Sequence, residues 1–470
     1  MGIWLGNPAL AIASLIFVFQ AIVEQWRLTA LDSRALTKIQ SIILIVIVII
    51  AAIVGGAVYV LLSAPSKNED VRIGICADLD SVGGTNLLRG ATLAVEQINA
   101  EGGFLGRNLT IVSEDDDSEA PQGDIAVASN ALTKLITVDK ADFIIAAGMP
   151  WSTLVYQDIC SEHKRILFAT SDPSVQSTQR VADNYEKYKY YFRYGWLTNT
   201  TSANSGDVQS IVALGKATGL TNIGYLIPDA GTIRNQTIPY MESQLPNHDL
   251  EVVYRGLYPL TTTDFASYFA KAEEAKTEIL YAVSNSVSKS PTFIGEWHER
   301  QSPMLLCGNI LGAADISFWN LTQGRAEFVF TRSNAVSLGY PLTSKVVPAK
   351  EAYLKRWGVP MIGFSASAYD IVRFILSDAV KRAGTMETDA VIKALEKTSV
   401  ETTLARRFSF TSDHDMLVEE AGMTSLVDSS MLYIVMQWQN GTQVPVFPEA
   451  LRIEADGTIK LPPWQGPWSR

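Results

Sequence analysis

From Val71 onward, short apolar runs alternate with longer stretches in which apolar residues recur every three or four positions. VRIGICADL (71–79) is apolar almost throughout and is followed by Gly83-Gly84, so it predicts a buried strand. In NLLRGATLAVEQINAEGG (86–103), Leu87, Ala91, Ala94, Val95 and Ile98 fall on one face, which predicts a helix stopped by Gly102-Gly103. The same signals predict strands at 108–116, 142–148 and 165–172, with helices at 124–136 and 152–163 between them. A second series begins beyond YFRYGWLTNTTS (191–202). It has helices at 204–218, 232–245, 264–275 and 290–300, and strands at 222–228, 250–258, 278–284 and 303–309. An amphipathic helix follows at 368–383, then a hairpin across 431–448 that turns at Asn440-Gly441. Alternation of this kind predicts α/β architecture with two doubly wound parallel-sheet lobes, each sheet covered on both faces by crossovers.

The N-terminal pattern is different. Ser41 to Ser63 carries no charge, and about 20 apolar residues span a bilayer as a helix. Arg27, Arg34 and Lys38 precede this run and outnumber Glu24 and Asp32, whereas Glu69 and Asp70 follow it. The positive-inside rule then places the large domain outside the cell membrane. Met1 to Val23 is a second apolar stretch, and RALT (34–37) is similar to the processing site of archaeal pilin-like leaders. A removed leader and a second membrane pass are both open for residues 1–35; residues 36–66 are expected to form the anchor in either case.

Composition narrows the chemistry. A chain of 470 residues exceeds what one core supports, and a formal charge of −11 without a basic stripe excludes a nucleic-acid partner. Cys76, Cys160 and Cys307 sit in apolar contexts with no CxxC spacing, which predicts buried free thiols rather than a metal site or a disulfide framework. The chain has no GxSxG, HExxH, Walker or GxGxxG pattern, and His163, His248, His298 and His414 are scattered. No enzyme, cofactor or metal is expected. EDDDSE (114–119) lacks the spacing of a calcium loop and reads as a solvated strand end.

In doubly wound sheets ligands settle beyond the carboxyl ends of the strands. The junctions there are ADLDSVGG, EDDDSEAP, AAGMPWST, ATSDPS, IPDAGT, AVSNSVS and CGNILGA, most of them rich in Ser, Thr, Asn, Asp and Gly. At AAGMPWST, a helix start would offer unpaired N–H groups and the hydroxyls of Ser152 and Thr153 to an anion, or those hydroxyls simply cap their own helix. At ATSDPS, Asp172 reads equally as a partner for an ammonium group or as an Asx turn ahead of Pro173.

The chain resembles the leucine/isoleucine/valine-binding protein family, the type I solute receptors of ABC importers. LLRGATLAVEQINAEGGFLGRNLTIVSEDD (87–116) carries the most specific similarity, which returns at AAGMPWST, FATSDPS, SAYDIVRF, QWQNGTQVPVFP and LPPW and so extends over about 71–464. The resemblance implies a type I periplasmic-binding fold whose lobes are joined by three crossing strands, near 192–198, 328–336 and 408–416. Lobe one would be 71–195 with 333–410, and lobe two 199–330 with 415–464. It also implies a ligand cleft contacted by Trp151, Ser152 and Thr153, by Thr170, Ser171 and Asp172, and by Asp229, Ser284 and Asn309 from the second lobe. The aromatic that relatives carry after the acid at Asp229 is missing here. Trp151, Tyr194, Trp196 and Tyr369 are candidates to wall the cleft.

The implied function is an extracytoplasmic receptor that captures an amino acid or related amide and presents it to an ABC transporter permease. The alternative is a ligand-sensing ectodomain that signals to a membrane partner.

Overall fold

The computed structural model describes residues 69–464 apart from 119–122, 148–149, 197, 230–232, 285–287, 420–422 and 424. The two apolar N-terminal segments, 1–35 and 36–66, therefore lie outside the described residues. Among the described residues, no helix is long and apolar enough to cross a membrane.

The first sheet contains β1 (Val71–Ala77), β2 (Leu109–Asp115), β3 (Phe143–Ala146), β4 (Ile166–Ala169) and β5 (Tyr191–Arg193), all parallel, in the order β2-β1-β3-β4-β5. β3 and β4 read as unbroken apolar runs, and β1 as one interrupted only by Arg72, because both of their faces are covered. The two-residue period of a strand divides them between two cores. Ile73, Ile75, Phe143, Ile145 and Phe168 point into the main cluster, whereas Cys76, Ile144, Ala146 and Leu167 join Leu132, Tyr156 and Cys160 behind the sheet.

The second sheet repeats the plan with β6 (Asn222–Pro228), β7 (Glu251–Tyr258), β8 (Ile279–Ser284) and β9 (Leu305–Ile310) in the order β7-β6-β8-β9, again parallel. A third, antiparallel sheet joins β10 (Phe330–Ser333), β11 (Ile434–Gln439) and β12 (Thr442–Phe447). Its hairpin turns at Asn440 and Gly441, both with positive φ, as the dipeptide predicted.

The helix Val82–Ala100 is capped by Ser81, whose hydroxyl accepts the Gly84 N–H, and Leu87, Ala91, Ala94, Val95 and Ile98 are all buried. Gly90 lies directly under the helix Gly363–Asp370: a Cβ there would stand 2.1 Å from the Ser365 carbonyl oxygen. That close crossing seats residues 363–370 on the first sheet's helix layer. Beyond it the backbone widens to a π-turn at Ile371–Leu376 before Ser377–Ala383.

The sequence pattern did not predict the helices Val175–Asp183, Val346–Trp357 and Thr388–Leu395. Val346–Trp357 buries only Val346, Ala349 and Tyr353, too narrow a stripe to stand out from its charged surroundings. β5 and β10, three and four residues long, show no period of their own, but they overlap two of the three strands that the resemblance implied, near 192–198 and 328–336.

Candidate functional site

The strand orders put the point where the crossovers change direction between β1 and β3 in one sheet and between β6 and β8 in the other. Residues just past the strand ends are therefore the ones able to line a ligand site. The residues proposed from sequence fall into two groups, one at each sheet.

In the first group, Ser152 and Thr153 are buried in the opening turn of the helix Pro150–His163, and neither is without a partner. Trp151 packs against the chain before the helix Ile125–Thr137; a Cβ on Gly123 would stand 2.3 Å from its ring. Thr170 ties β4 to β3, donating its N–H and its hydroxyl to the Ala146 carbonyl at 2.9 and 3.1 Å. Asp172 is turned inward. One carboxylate oxygen accepts the Ser174 N–H at 2.9 Å, and the other accepts the hydroxyls of Ser177 and, at 3.0 Å, Tyr191. This is the Asx turn, with the carboxylate bonded within its own lobe. Between Thr170 and Asp172, the Ser171 hydroxyl is shielded from solvent and has no hydrogen-bond partner among the described residues.

In the second group, Asp229 is exposed and paired with Arg234 at 2.7 Å. The Ser284 hydroxyl is buried 2.7 Å from that of Ser290, across the junction after β8. Asn309 is partly buried on β9, beside Gly308, whose φ of 132° allows the backbone to press onto Ala282.

Of the four aromatics considered for the cleft wall, Tyr194 is a core residue. Its hydroxyl donates to Asp370 at 2.6 Å and accepts from the Thr402 hydroxyl at 2.9 Å. Tyr369 donates to Gln97 at 2.7 Å. Trp196 follows β5, and its indole N–H is shielded and has no partner among the described residues.

EDDDSE is not simply a solvated strand end. Asp115 and Asp117 are exposed, but Asp116 is fully buried and accepts the Tyr156 hydroxyl at 2.6 Å and the Ser118 N–H at 3.0 Å. Burial, with Asp116 alongside, pushes the Cys76 thiol well up. All three cysteines are buried and free. Among the described residues no group of three or more His, Cys, Asp or Glu is placed to hold a metal.

Two buried polar clusters hold the chain where it passes between the sheets, and the sequence analysis missed both. In one, Asp207 on the helix Thr200–Thr218 accepts hydrogen bonds from Arg332 on β10, from Tyr281 on β8 at 2.7 Å, and from Tyr433 just before β11. In the other, Arg193 at the end of β5 reaches the Asp415 carboxylate and the Tyr191 hydroxyl, each at 3.3 Å, and the Ser174 carbonyl. Asn199 donates to the same Asp415 at 2.9 Å. His414 stacks on Phe192 with ring centres 4.1 Å apart, and its Nδ1 lies 2.9 Å from the Tyr191 carbonyl. Isolated acids, arginines and tyrosines carry no periodic signal, so only their convergence in space reveals them.

Burial raises Asp370 to about 7, against the donors Tyr194 and Thr403 that favour its charged form. The unfolded chain releases this proton near pH 3.9, so the folded state binds more protons between about 4 and 7. The stability it contributes is full below pH 4 and is lost as pH rises through 7, a span of roughly 4 kcal/mol. Burial lowers His414, which works in the opposite direction. The expected result is that wild type loses more stability than Asp370→Asn between pH 5 and 8, read from urea unfolding of both proteins at each pH. Equal slopes would mean that Asp370 stays ionised throughout.

With the two sheets and their strand-end groups in place, comparison with known proteins decides the family. The sequence pattern of the periplasmic binding protein family matches residues 70–431. The chain belongs to that family. It is accordingly a binding protein and not an enzyme. The Leu/Ile/Val-binding protein homolog 7 of Brucella abortus is 24% identical over 392 residues, covering 81% of this chain and 90% of that one. A putative branched-chain amino acid ABC transporter structure from Silicibacter pomeroyi superposes with a TM-score of 0.71 at 18% identity, covering 84% of this chain and all of the other. LivJ from Streptococcus pneumoniae, in complex with isoleucine, gives a TM-score of 0.63 at 17% identity, covering 81% and 100%. These likenesses establish the fold as that of the type I periplasmic binding proteins.

Proposed function

We propose that this periplasmic binding protein is an extracytoplasmic receptor that captures an amino acid or related amide between its two lobes and delivers it to an ABC permease. The observation that carries the reading is the shielded, unpartnered Ser171 hydroxyl at the carboxyl end of β4. A buried hydroxyl without a partner costs about 1–3 kcal/mol, and a ligand oxygen at that point recovers it. The relatives named for branched-chain amino acids support the ligand class. The charge-free run from Ser41 to Ser63 supports a membrane tether that keeps the receptor beside its permease.

Closure follows from differential affinity: a ligand that touches Ser171 and Thr170 on one lobe and Ser284 or Asn309 on the other is held fully only when the lobes meet. Thermal unfolding of the whole protein with amino acids, amides, urea and sugars tests this. A true ligand at 100 times its Kd is expected to add about 2.7 kcal/mol of stability. No response to any amino acid or amide, with a shift for a sugar or urea, would discard the substrate class.

A further inference from the structure

We propose that the indole N–H of Trp196, together with the Ser171 hydroxyl, forms a two-donor clamp for a carboxylate on the bound solute, making Trp196 a specificity-determining residue. The proposal rests on the solute-receptor reading above and deepens it.

The two atoms share an unusual condition. Both are shielded from solvent without a hydrogen-bond partner among the described residues, although a buried tryptophan N–H ordinarily finds one. Trp297, Trp438 and Trp464 obey that rule, donating to the carbonyls of Met304, Ala313 and Ser302 at 3.1, 2.9 and 3.0 Å. Trp357 also lacks an acceptor, but it sits on the helix Val346–Trp357 between the guanidinium groups of Arg89 and Arg356, not at a strand end.

They also lie on adjacent loops at the same end of the sheet. The last paired residues of β4 and β5 are Ala169 and Arg193; Ser171 follows the first by two positions and Trp196 the second by three. The loops press together there, because a Cβ on Gly195 would stand 2.1 Å from the Thr170 carbonyl oxygen. Trp196 is firmly positioned. Its main-chain N–H donates to the Ser367 hydroxyl at 3.1 Å, its ring meets Phe364 edge-on at 5.3 Å, and a Cβ on Gly363 would reach within 2.5 Å of its Cγ. A fixed ring with an unmet donor is a preorganised contact and not a slack one.

Chemistry selects the ligand group. An indole N–H only donates, and a hydroxyl donates readily beside it, so the matching group accepts at two oxygens and has no hydrogen to clash. An ionised carboxylate meets that description with two charge-assisted bonds; a carboxamide offers the indole one neutral oxygen and must use Ser171 as an acceptor for its NH₂, which makes weaker bonds.

Titration calorimetry of full-length wild type and Trp196→Phe, with an amino acid found to bind and with its carboxamide, tests the clamp. The phenyl ring keeps most of the packing and removes the N–H. A hydrogen bond to a charged acceptor predicts about a 10- to 100-fold loss of affinity for the acid in Trp196→Phe, and a smaller loss for the carboxamide. As a second readout that does not depend on the variant's fold, the tryptophan whose indole ¹H–¹⁵N signal disappears in Trp196→Phe, or is assigned by selective labelling, is expected to shift downfield when the acid saturates the wild type. Wild-type binding of the acid with neither the affinity loss nor the signal shift overturns the clamp and leaves the receptor reading standing. Binding only of solutes that lack a carboxylate overturns the clamp, and if those solutes are sugars or urea the receptor's substrate class falls with it.

Discussion

Replacing Arg332 by methionine is expected to destabilise the protein by about 3–5 kcal/mol, because it strands a buried carboxylate. Asp207 is 2% exposed and depends on Arg332 for its countercharge. The remaining donors, Tyr281 and Tyr433, are neutral. The cost should fall on the passage between the sheets, since Asp207 lies on the helix that leads into β6, Arg332 on β10 and Tyr433 at the entry to β11. Removing both charges, Arg332→Met with Asp207→Leu, is expected to recover most of the loss, as apolar replacement of a whole buried pair often does. Urea unfolding of the wild type, the single variant and the double variant decides it. A single variant within 1 kcal/mol of wild type would show that Asp207 is solvated or protonated in the folded protein.

Arg193→Ala is expected to cost a similar amount, about 3–5 kcal/mol, and to abolish the ligand response as well. Arg193 is 1% exposed and holds Asp415 at 3.3 Å while bonding the Tyr191 hydroxyl, which in turn donates to Asp172. Burial already raises the Asp415 carboxyl, and Arg193 pulls it back. Without the guanidinium, Asp415 loses its countercharge and the 172–174 turn loses the bond from Arg193 to the Ser174 carbonyl. Ser171 immediately precedes that turn, so the two-oxygen contact proposed for the ligand is displaced along with it. Arg193→Lys keeps the charge but not the planar fork, and is expected to restore only part of either property. Urea unfolding together with ligand-induced thermal shift tests the coupling. A destabilised Arg193→Ala protein with an undiminished ligand shift would separate the turn from the binding site.

Much of the fold was legible because burial writes a period into the chain. β1, β6 and β8 are largely apolar runs, broken only by Arg72, Asn222 and Ser284, since both faces of a parallel sheet are covered, and the helix Val82–Ala100 shows its buried face at three- and four-residue spacing. Asn440-Gly441 specified its hairpin through two positive φ angles. β5 and β10 were expected only from the resemblance, because three or four residues are too few to display a period. The short helix Thr388–Leu395 was hidden because its buried stripe is only Val391, Ile392, Ala394 and Leu395.

The site was legible to a smaller extent. Strand-end junctions rich in hydroxyls and amides marked where to look, and Ser171 was among the residues named. Which hydroxyls are already satisfied could not be read there. Thr170 bonds Ala146 from the neighbouring strand, 24 positions away, and Asp172 is held by Ser177 and Tyr191.

By itself the sequence determined a doubly wound α/β chain, the absence of reactive motifs and the strand-end loops that are candidates for a ligand site, because periodicity and turn chemistry are local properties of the backbone. Only the tertiary structure decided that Asp116 is buried, that Asp207 and Arg332 meet across 125 positions, and that Ser171 and Trp196 are left as unmet donors. The physical reason is that hydrogen-bond satisfaction and charge pairing depend on which distant groups arrive within about 3 Å, and no local pattern records that.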